Sequence, residues 1–253
     1  MVRSKAQGWL TKSYDAETRA QVQALLDNED PTELIECFYK DLEFGTGGLR
    51  GIMGVGSNRM NIYTITKVTQ GLANYILEVG SKACEMGVVI AHDSRIMSPE
   101  FCEATALCLN ANGIKTYVFD SLRPTPELSF AVRELGCIAG IVITASHNPP
   151  EYNGYKVYWE DGSQIVAPHD KNILAHVAAV PGFDAVRTIS KEKAVADGLF
   201  NMVPASVDEH YYEELIKQTI HGEIIPEVHH DCLHSTSWNW KCASERSFKE
   251  TRL

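Results

Sequence analysis

Thr144-Ala145-Ser146-His147-Asn148-Pro149 follows directly on the apolar run Ile138-Ala139-Gly140-Ile141-Val142-Ile143. The run reads as a buried strand over residues 138–144. It delivers one serine to its exposed end, next to a histidine and an asparagine, and Pro149 stops any helix from starting there.

The same rhythm repeats upstream. Gly87-Val88-Val89-Ile90-Ala91 reads as a short buried strand, and Thr116-Tyr117-Val118-Phe119 as another. Helical patterns fill the gaps, one from residue 98 to about 112 and one over 126–135. Ser98 is placed as N-cap of the first, with Pro99 at its first helical position. Strands alternating with helices at this spacing indicate an α/β layered domain. Further out, residues 14–38 and 64–82 carry helical spacing. Residues 41–60, with Gly45, Gly47, Gly48, Gly51, Gly54 and Gly56, read as a long loop. Tyr155-Lys156-Val157-Tyr158-Trp159 alternates like a strand, Asp161-Gly162 turns it over, and a helix over 168–179 follows. Residues 181–182 and 190–205 read as linkers, and 207–220 as a last helix.

The chain has 253 residues, 44% hydrophobic and 22% charged, enough for an ordinary globular core. A formal net charge of −10 argues against a nucleic-acid partner, whose footprint is a basic face. It does not exclude an anionic substrate met by a few local cations. No apolar stretch suits a membrane span, and residues 1–8 lack the apolar core of a secretory signal. The seven cysteines form no CxxC pair and are odd in number, so reduced, mostly buried thiols in a cytoplasmic protein are expected.

Four stretches carry potential chemistry. Ser146 is either a loop serine capping a turn or a nucleophile, and its neighbour His147 does not decide between them. Phe44-Gly45-Thr46-Gly47-Gly48-Leu49-Arg50-Gly51 can bring backbone amides and the Arg50 fork to an anion, or can be a plain surface loop. His92-Asp93-Ser94-Arg95 lies at a strand's carboxyl end, the ligand edge of open α/β sheets, or holds an Asp–Arg pair that fixes a turn. Lys156 alone would be a surface lysine. Together, Arg50, Arg95, His147 and Lys156 around Ser146 suit phosphoryl chemistry, where positioning and charge neutralisation dominate.

Thr144-Ala145-Ser146-His147-Asn148-Pro149, followed by Asn153-Gly154-Tyr155-Lys156 and an Asp-Gly turn, resembles the phosphoserine loop of the α-D-phosphohexomutase superfamily. Glu43 to Gly51, Asn58-Arg59-Met60-Asn61 and Leu122-Arg123-Pro124-Thr125-Pro126-Glu127 resemble its phosphoglucomutase/phosphopentomutase branch, and bacterial-type α-phosphoglucomutases above all. The resemblance covers residues 8–231. It implies a layered mixed sheet between helices, followed by an incomplete second α/β domain. Residues 1–40 become a helical extension, 41–200 the phosphoserine domain and 201–231 the start of a second domain. The implied reaction interconverts glucose 1-phosphate and glucose 6-phosphate through a phosphoserine and glucose 1,6-bisphosphate. Ser146 carries the phosphate and, as metal ligand, meets a magnesium ion. His147 or Lys156 assists proton transfer, Arg50 and Arg95 bind phosphate or substrate, and Asn148 shapes the loop. Phosphopentomutase and glucose 1,6-bisphosphate synthase are the alternatives inside the family. A binding or regulatory protein, or a serine hydrolase, are those outside it.

From Cys232 the texture changes, with two tryptophans and two cysteines in eleven residues and no period. Read one nucleotide later, codons for Leu233 to Trp240 can encode Tyr-Thr-Pro-Leu-His-Gly-Thr-Gly, with both glycines forced by the tryptophan codons. The family's second-domain strand and loop has that sequence. Residues 232–253 are therefore expected to be a frameshifted tail. The family's Asp-Gly-Asp-x-Asp-Arg metal loop and Gly-Glu-x-Ser-Gly sugar loop do not occur here. Little mutase activity is expected of this chain alone.

Overall fold

In the computed structural model, which describes residues 1–45, 48–218 and 220, six strands form one mixed sheet. They are β1 (Gly48–Ile52), β2 (Val88–His92), β3 (Thr116–Val118), β4 (Ala139–Ile143), β5 (Tyr152–Trp159) and β6 (Phe200–Met202), in spatial order β1-β5-β4-β2-β3-β6. β4, β2, β3 and β6 run parallel, and β5 lies antiparallel between β4 and β1. The helices are α1 (Val2–Gly8), α2 (Ala16–Asp27), α3 (Thr32–Phe38), α4 (Ile62–Val79), α5 (Ser81–Met86), α6 (Ser98–Ala111), α7 (Thr125–Glu134), α8 (His169–Ala179), α9 (Lys191–Ala196) and α10 (Ala205–Lys217). Among the described residues, no helix is long and apolar enough to cross a membrane.

Strand alternation splits the core into two layers. Val88 and Ile90 of β2, Ile141 and Ile143 of β4, and Tyr155 and Val157 of β5 face one way, onto Ile65, Leu72 and Ile76 of α4 and Phe101 and Leu109 of α6. Val89, Ala91, Val142 and Tyr158 face the other way, onto Leu128, Ala131 and Val132 of α7 and Val207 of α10. All five residues of β4 are buried, which matches its uninterrupted apolar run. A third cluster joins α1, α2 and α3 through Trp9, Val22, Leu34 and Phe38.

The α/β layering follows the sequence reading, with four differences. Residues 41–60 hold β1, because Leu49 is buried and pairs with Tyr155 although glycines surround it. Residues 190–205 hold α9 and β6, and β6 extends the parallel sheet beside β3. The helical stretch 14–38 is two helices, broken between Asp27 and Thr32. Ser98 is not the N-cap of α6: Met97 is, in a left-handed conformation (φ 64°). The Ser98 side chain turns inward instead, and its hydrogen bonds form part of the site described below. Cys37, Cys102, Cys108 and Cys137 are buried free thiols and Cys84 is partly buried. Cys232, Cys242 and the expected frameshifted tail lie outside the described residues. The expected boundary after residue 200 falls inside β6.

Candidate phosphate-acceptor site

The parallel strands β2 and β4 end on one edge of the sheet, and β5 enters from that same edge. Three chain segments therefore converge there: residues 93–98 after β2, residues 144–151 between β4 and β5, and the start of β5. Carboxyl ends of strands in open α/β sheets are where ligands bind.

Ser146 sits at the tip, exposed, with a left-handed backbone (φ 58°). That region is unusual for a residue other than glycine and stores about 1–3 kcal/mol when the surroundings enforce it. Here they do. The Ser146 N–H donates to Thr144 Oγ1 at 2.9 Å, and the Asn148 N–H donates to the Ala145 carbonyl at 3.1 Å. The Ser146 Oγ stands 3.3 Å from His147 Nδ1, a long contact that leaves the hydroxyl open to solvent.

Arg95 holds this loop. Its Nη1 donates to the carbonyls of Pro149 (2.9 Å) and Tyr152 (3.0 Å), and its Nη2 to those of Ser146 (2.9 Å) and Asn148 (2.6 Å). Its Nε faces Asp93 Oδ2 at 3.4 Å. Of the five N–H donors of a guanidinium, the four on Nη1 and Nη2 are thus spent on loop carbonyls. Buried Asp93 also accepts from the Arg95 N–H and from Ser98 Oγ, both at 3.0 Å. The Asp–Arg pair considered from sequence is present, and it fixes the serine loop as well as its own turn.

Arg50 and Lys156 lie together beside the loop. Arg50 pairs with Gly154, Lys156 pairs with Gly48 and with Val142, and Thr144 donates its N–H to the Gly154 carbonyl. Directly opposed residues share a sheet face, so Arg50, Lys156 and Thr144 all lie on the α7 side. Arg50 is exposed and Lys156 is partly buried. Burial, then the charge of Arg50, pushes the Lys156 ammonium below its usual range, and Asp93 partly restores it. Asn148 places its side-chain Oδ1 inside the loop with no hydrogen-bond partner among the described residues. Thr46 and Gly47 of the glycine stretch lie outside the described residues.

Residues 41–181, more than half of the chain, match the model for phosphoglucomutase/phosphomannomutase, alpha/beta/alpha domain I. The chain belongs to this family. Among curated members, it is 46% identical to a probable phosphoribomutase of Schizosaccharomyces pombe over 66% of this chain and 28% of that one. It is 35% identical to a phosphopentomutase of Homo sapiens over 90% of this chain and 38% of that one. It is 36% identical to a phosphoglucomutase of Staphylococcus epidermidis over 86% of this chain and 42% of that one. The chain thus spans well under half the length of these relatives. A Thermus thermophilus structure described as a phosphomannomutase superposes with a TM-score of 0.57 at 30% identity, covering 70% of this chain and 36% of that one. The matched residues hold β1 to β5 between helices, in keeping with the alpha/beta/alpha layering of that family's first domain.

Two roles escaped the sequence. Ser98 and Asn153 are buried and connected to Asp93, but Ser98 reads as a helix cap and Asn153 sits in a motif noticed for Lys156. Arg59, in the family-like Asn58-Arg59-Met60-Asn61, is buried and bonds Glu33 and the Glu36 carbonyl, away from the serine loop. Among the described residues, no group of three or more His, Cys, Asp or Glu side chains could hold a metal ion. Asp93 is already engaged, and Ser146 Oγ offers a single oxygen. These residues alone do not fit a magnesium ion.

Proposed function

We propose that the domain expected over residues 41–200, carried to the end of β6, is the phosphate-carrying domain of a phosphosugar mutase, with Ser146 as the carrier and residues 1–40 as a helical extension packed on it. The observation that carries this reading is an exposed serine, locked in a left-handed backbone at the ligand edge of the sheet, beside two cations on one face. Nothing in a purely structural loop calls for that combination.

Phosphorylated Ser146 donates its phosphoryl group to a free hydroxyl of a sugar monophosphate. The bond between phosphorus and Oγ breaks, a bond from phosphorus to the sugar oxygen forms, and the product is a sugar bisphosphate. His147, 3.3 Å from Ser146 Oγ, takes the proton of the attacking hydroxyl and supplies one to Ser146 Oγ as it is released, while Lys156 stays a cation beside Arg50. The bisphosphate then returns its other phosphate to Ser146, and the proton moves back. Arg50, exposed and in no salt bridge among the described residues, meets the phosphate charge. A phosphoserine carries about −1.5 to −2 charge, so positive groups close to Ser146 stabilise it. No step is routed through magnesium, because the described residues do not complete a site for it. The free thiols suit a reducing compartment, the cytoplasm.

The substrate we favour is glucose phosphate. Pentose phosphate is the second reading, favoured by the phosphoribomutase and phosphopentomutase names among the relatives. Labelling of Ser146 by glucose 1,6-bisphosphate and by ribose 1,5-bisphosphate compares the two. Faster labelling by the hexose donor is expected. A reversed preference selects the pentose reading, and labelling by neither removes the mutase assignment.

A further inference from the structure

Asn153 Nδ2 donates to Ser98 Oγ at 3.0 Å, and Ser98 Oγ donates to Asp93 Oδ1 at 3.0 Å. Asp93 pairs with Arg95, and Arg95 donates to the carbonyl of Ser146. On the other side of the serine, the Ser146 N–H donates to Thr144 Oγ1, the Thr144 N–H to the Gly154 carbonyl, and the Gly154 N–H to Asn153 Oδ1 at 2.7 Å. These links close into a ring that passes through Ser146 by its own N–H and C=O. Asp93, Ser98 and Asn153 are 5%, 0% and 0% exposed. The ring therefore sits mostly in low dielectric, where each hydrogen bond is strong and a missing partner is costly. It is also tightly spaced: a Cβ at Gly154 would stand 2.4 Å from the Thr144 carbonyl oxygen.

We propose that this ring is a positioning device for the phosphate carrier, in which Arg95 sets the backbone of Ser146 and does not itself bind phosphate. The inference rests on the phosphoserine reading. It follows from the donor count, since all four Nη N–H groups of Arg95 already donate to loop carbonyls and its Nε stands in an ion pair with Asp93. A substrate phosphate could recruit this guanidinium only by releasing the loop that carries the serine. The ring also explains why a residue with a side chain can hold φ 58° at an exposed tip: both its amide and its carbonyl are anchored to buried groups. Asp93 compensates the Arg95 charge, so the clamp adds no net cation next to the phosphate. That leaves Arg50 and Lys156 to meet it. The ring joins the end of β4, the start of β5 and the first turn of α6, so the serine is fixed to three rigid elements and not to one loop.

Positioning and phosphate binding differ in kinetics. The rate of Ser146 phosphorylation by a sugar bisphosphate is measured on the 253-residue chain across donor concentrations. Arg95→Met and Ser98→Ala should each lower the maximal rate, Arg95→Met by about tenfold or more, with the half-saturating donor concentration unchanged. Arg50→Met should instead raise the half-saturating concentration. If Arg95→Met and Ser98→Ala keep the parent's maximal rate, or raise half-saturation alone, the positioning role is overturned. A parent chain that takes no label overturns the phosphoserine reading and this inference with it, a result distinct from a labelled parent with unaffected variants. Thermal melts show which variants fold. If Arg95→Met does not fold, Ser98→Ala decides alone, because it removes one hydroxyl from the middle of the ring.

Discussion

Two loops of this molecule are tied down in the same way and end up doing opposite things. The serine loop, residues 144–151, is held by Arg95 reaching four carbonyls. The loop over residues 53–61 is held by Asn61, whose Nδ2 donates to the carbonyls of Gly54 (2.8 Å) and Gly56 (3.0 Å) and more weakly to that of Arg59. Asn61 also caps α4 through a reciprocal pair with Thr64. In the second loop the positive φ angles fall on glycines, 153° at Gly54 and 115° at Gly56. In the serine loop the left-handed residue is Ser146 itself. Where a loop only has to turn, glycine takes the unusual conformation at little steric cost. Where a hydroxyl has to be presented, a residue with a side chain takes it and buried partners hold it there. Between these two loops, a left-handed residue with a side chain marks the one that presents a group.

The comparison can be attacked from both sides. The largest stability effect is expected in the structural loop. A Cβ at Gly56 would stand 2.5 Å from the Cys37 carbonyl oxygen. Gly56→Ala combines that clash with a positive φ, so a loss of about 2–3 kcal/mol is expected in urea unfolding, while Ser146 phosphorylation of the folded fraction is kept. A loss near zero would mean that this loop is looser than its contacts indicate. Ser146→Gly should act in reverse. It relieves the left-handed serine, so the fold should gain roughly 0.5–1 kcal/mol while phosphate uptake disappears. A variant less stable than the parent would show that the Ser146 side chain supports the fold, and the contrast between the loops would fail.

The smallest effect concerns Lys156. Burial and Arg50 lower its proton affinity in the fold, below the ordinary 10.5. The folded state then binds fewer protons than the unfolded one in the window just below 10.5, so this group adds stability as pH rises through that window. Lys156→Met removes that contribution. As pH rises toward 10.5 the parent's urea midpoint should gain relative to the variant's. Parallel curves would indicate that Lys156 keeps an ordinary proton affinity.

What could be read in the sequence divides along a physical line. β4 and its serine were legible because burial on both faces leaves an unbroken apolar run. β2, β3 and the helices between them were legible through their alternation. β1 was hidden by its glycines, since an edge strand of five residues with one buried apolar member carries little periodicity. β6 was hidden by its three-residue length. Arg50, His147 and Lys156 were proposed from residue type and motif order. The structure puts His147 against Ser146 and sets Arg50 and Lys156 side by side. The ring through Ser98 and Asn153 had no local signature. It joins residues 55 apart in the chain, and Ser-Pro-Glu reads equally well as a helix start. Arg59 shows the converse, a motif residue that resembles a site marker and proves to be a tether.

The central claim is that the molecule presents Ser146 as its phosphate carrier. The most direct measurement is to incubate the purified chain with glucose 1,6-bisphosphate, digest it and locate the phosphate by tandem mass spectrometry. One phosphate on Ser146, absent from the Ser146→Ala protein of equal stability, is the predicted result. Phosphate on another residue, or none on a folded chain with either sugar bisphosphate, would contradict it.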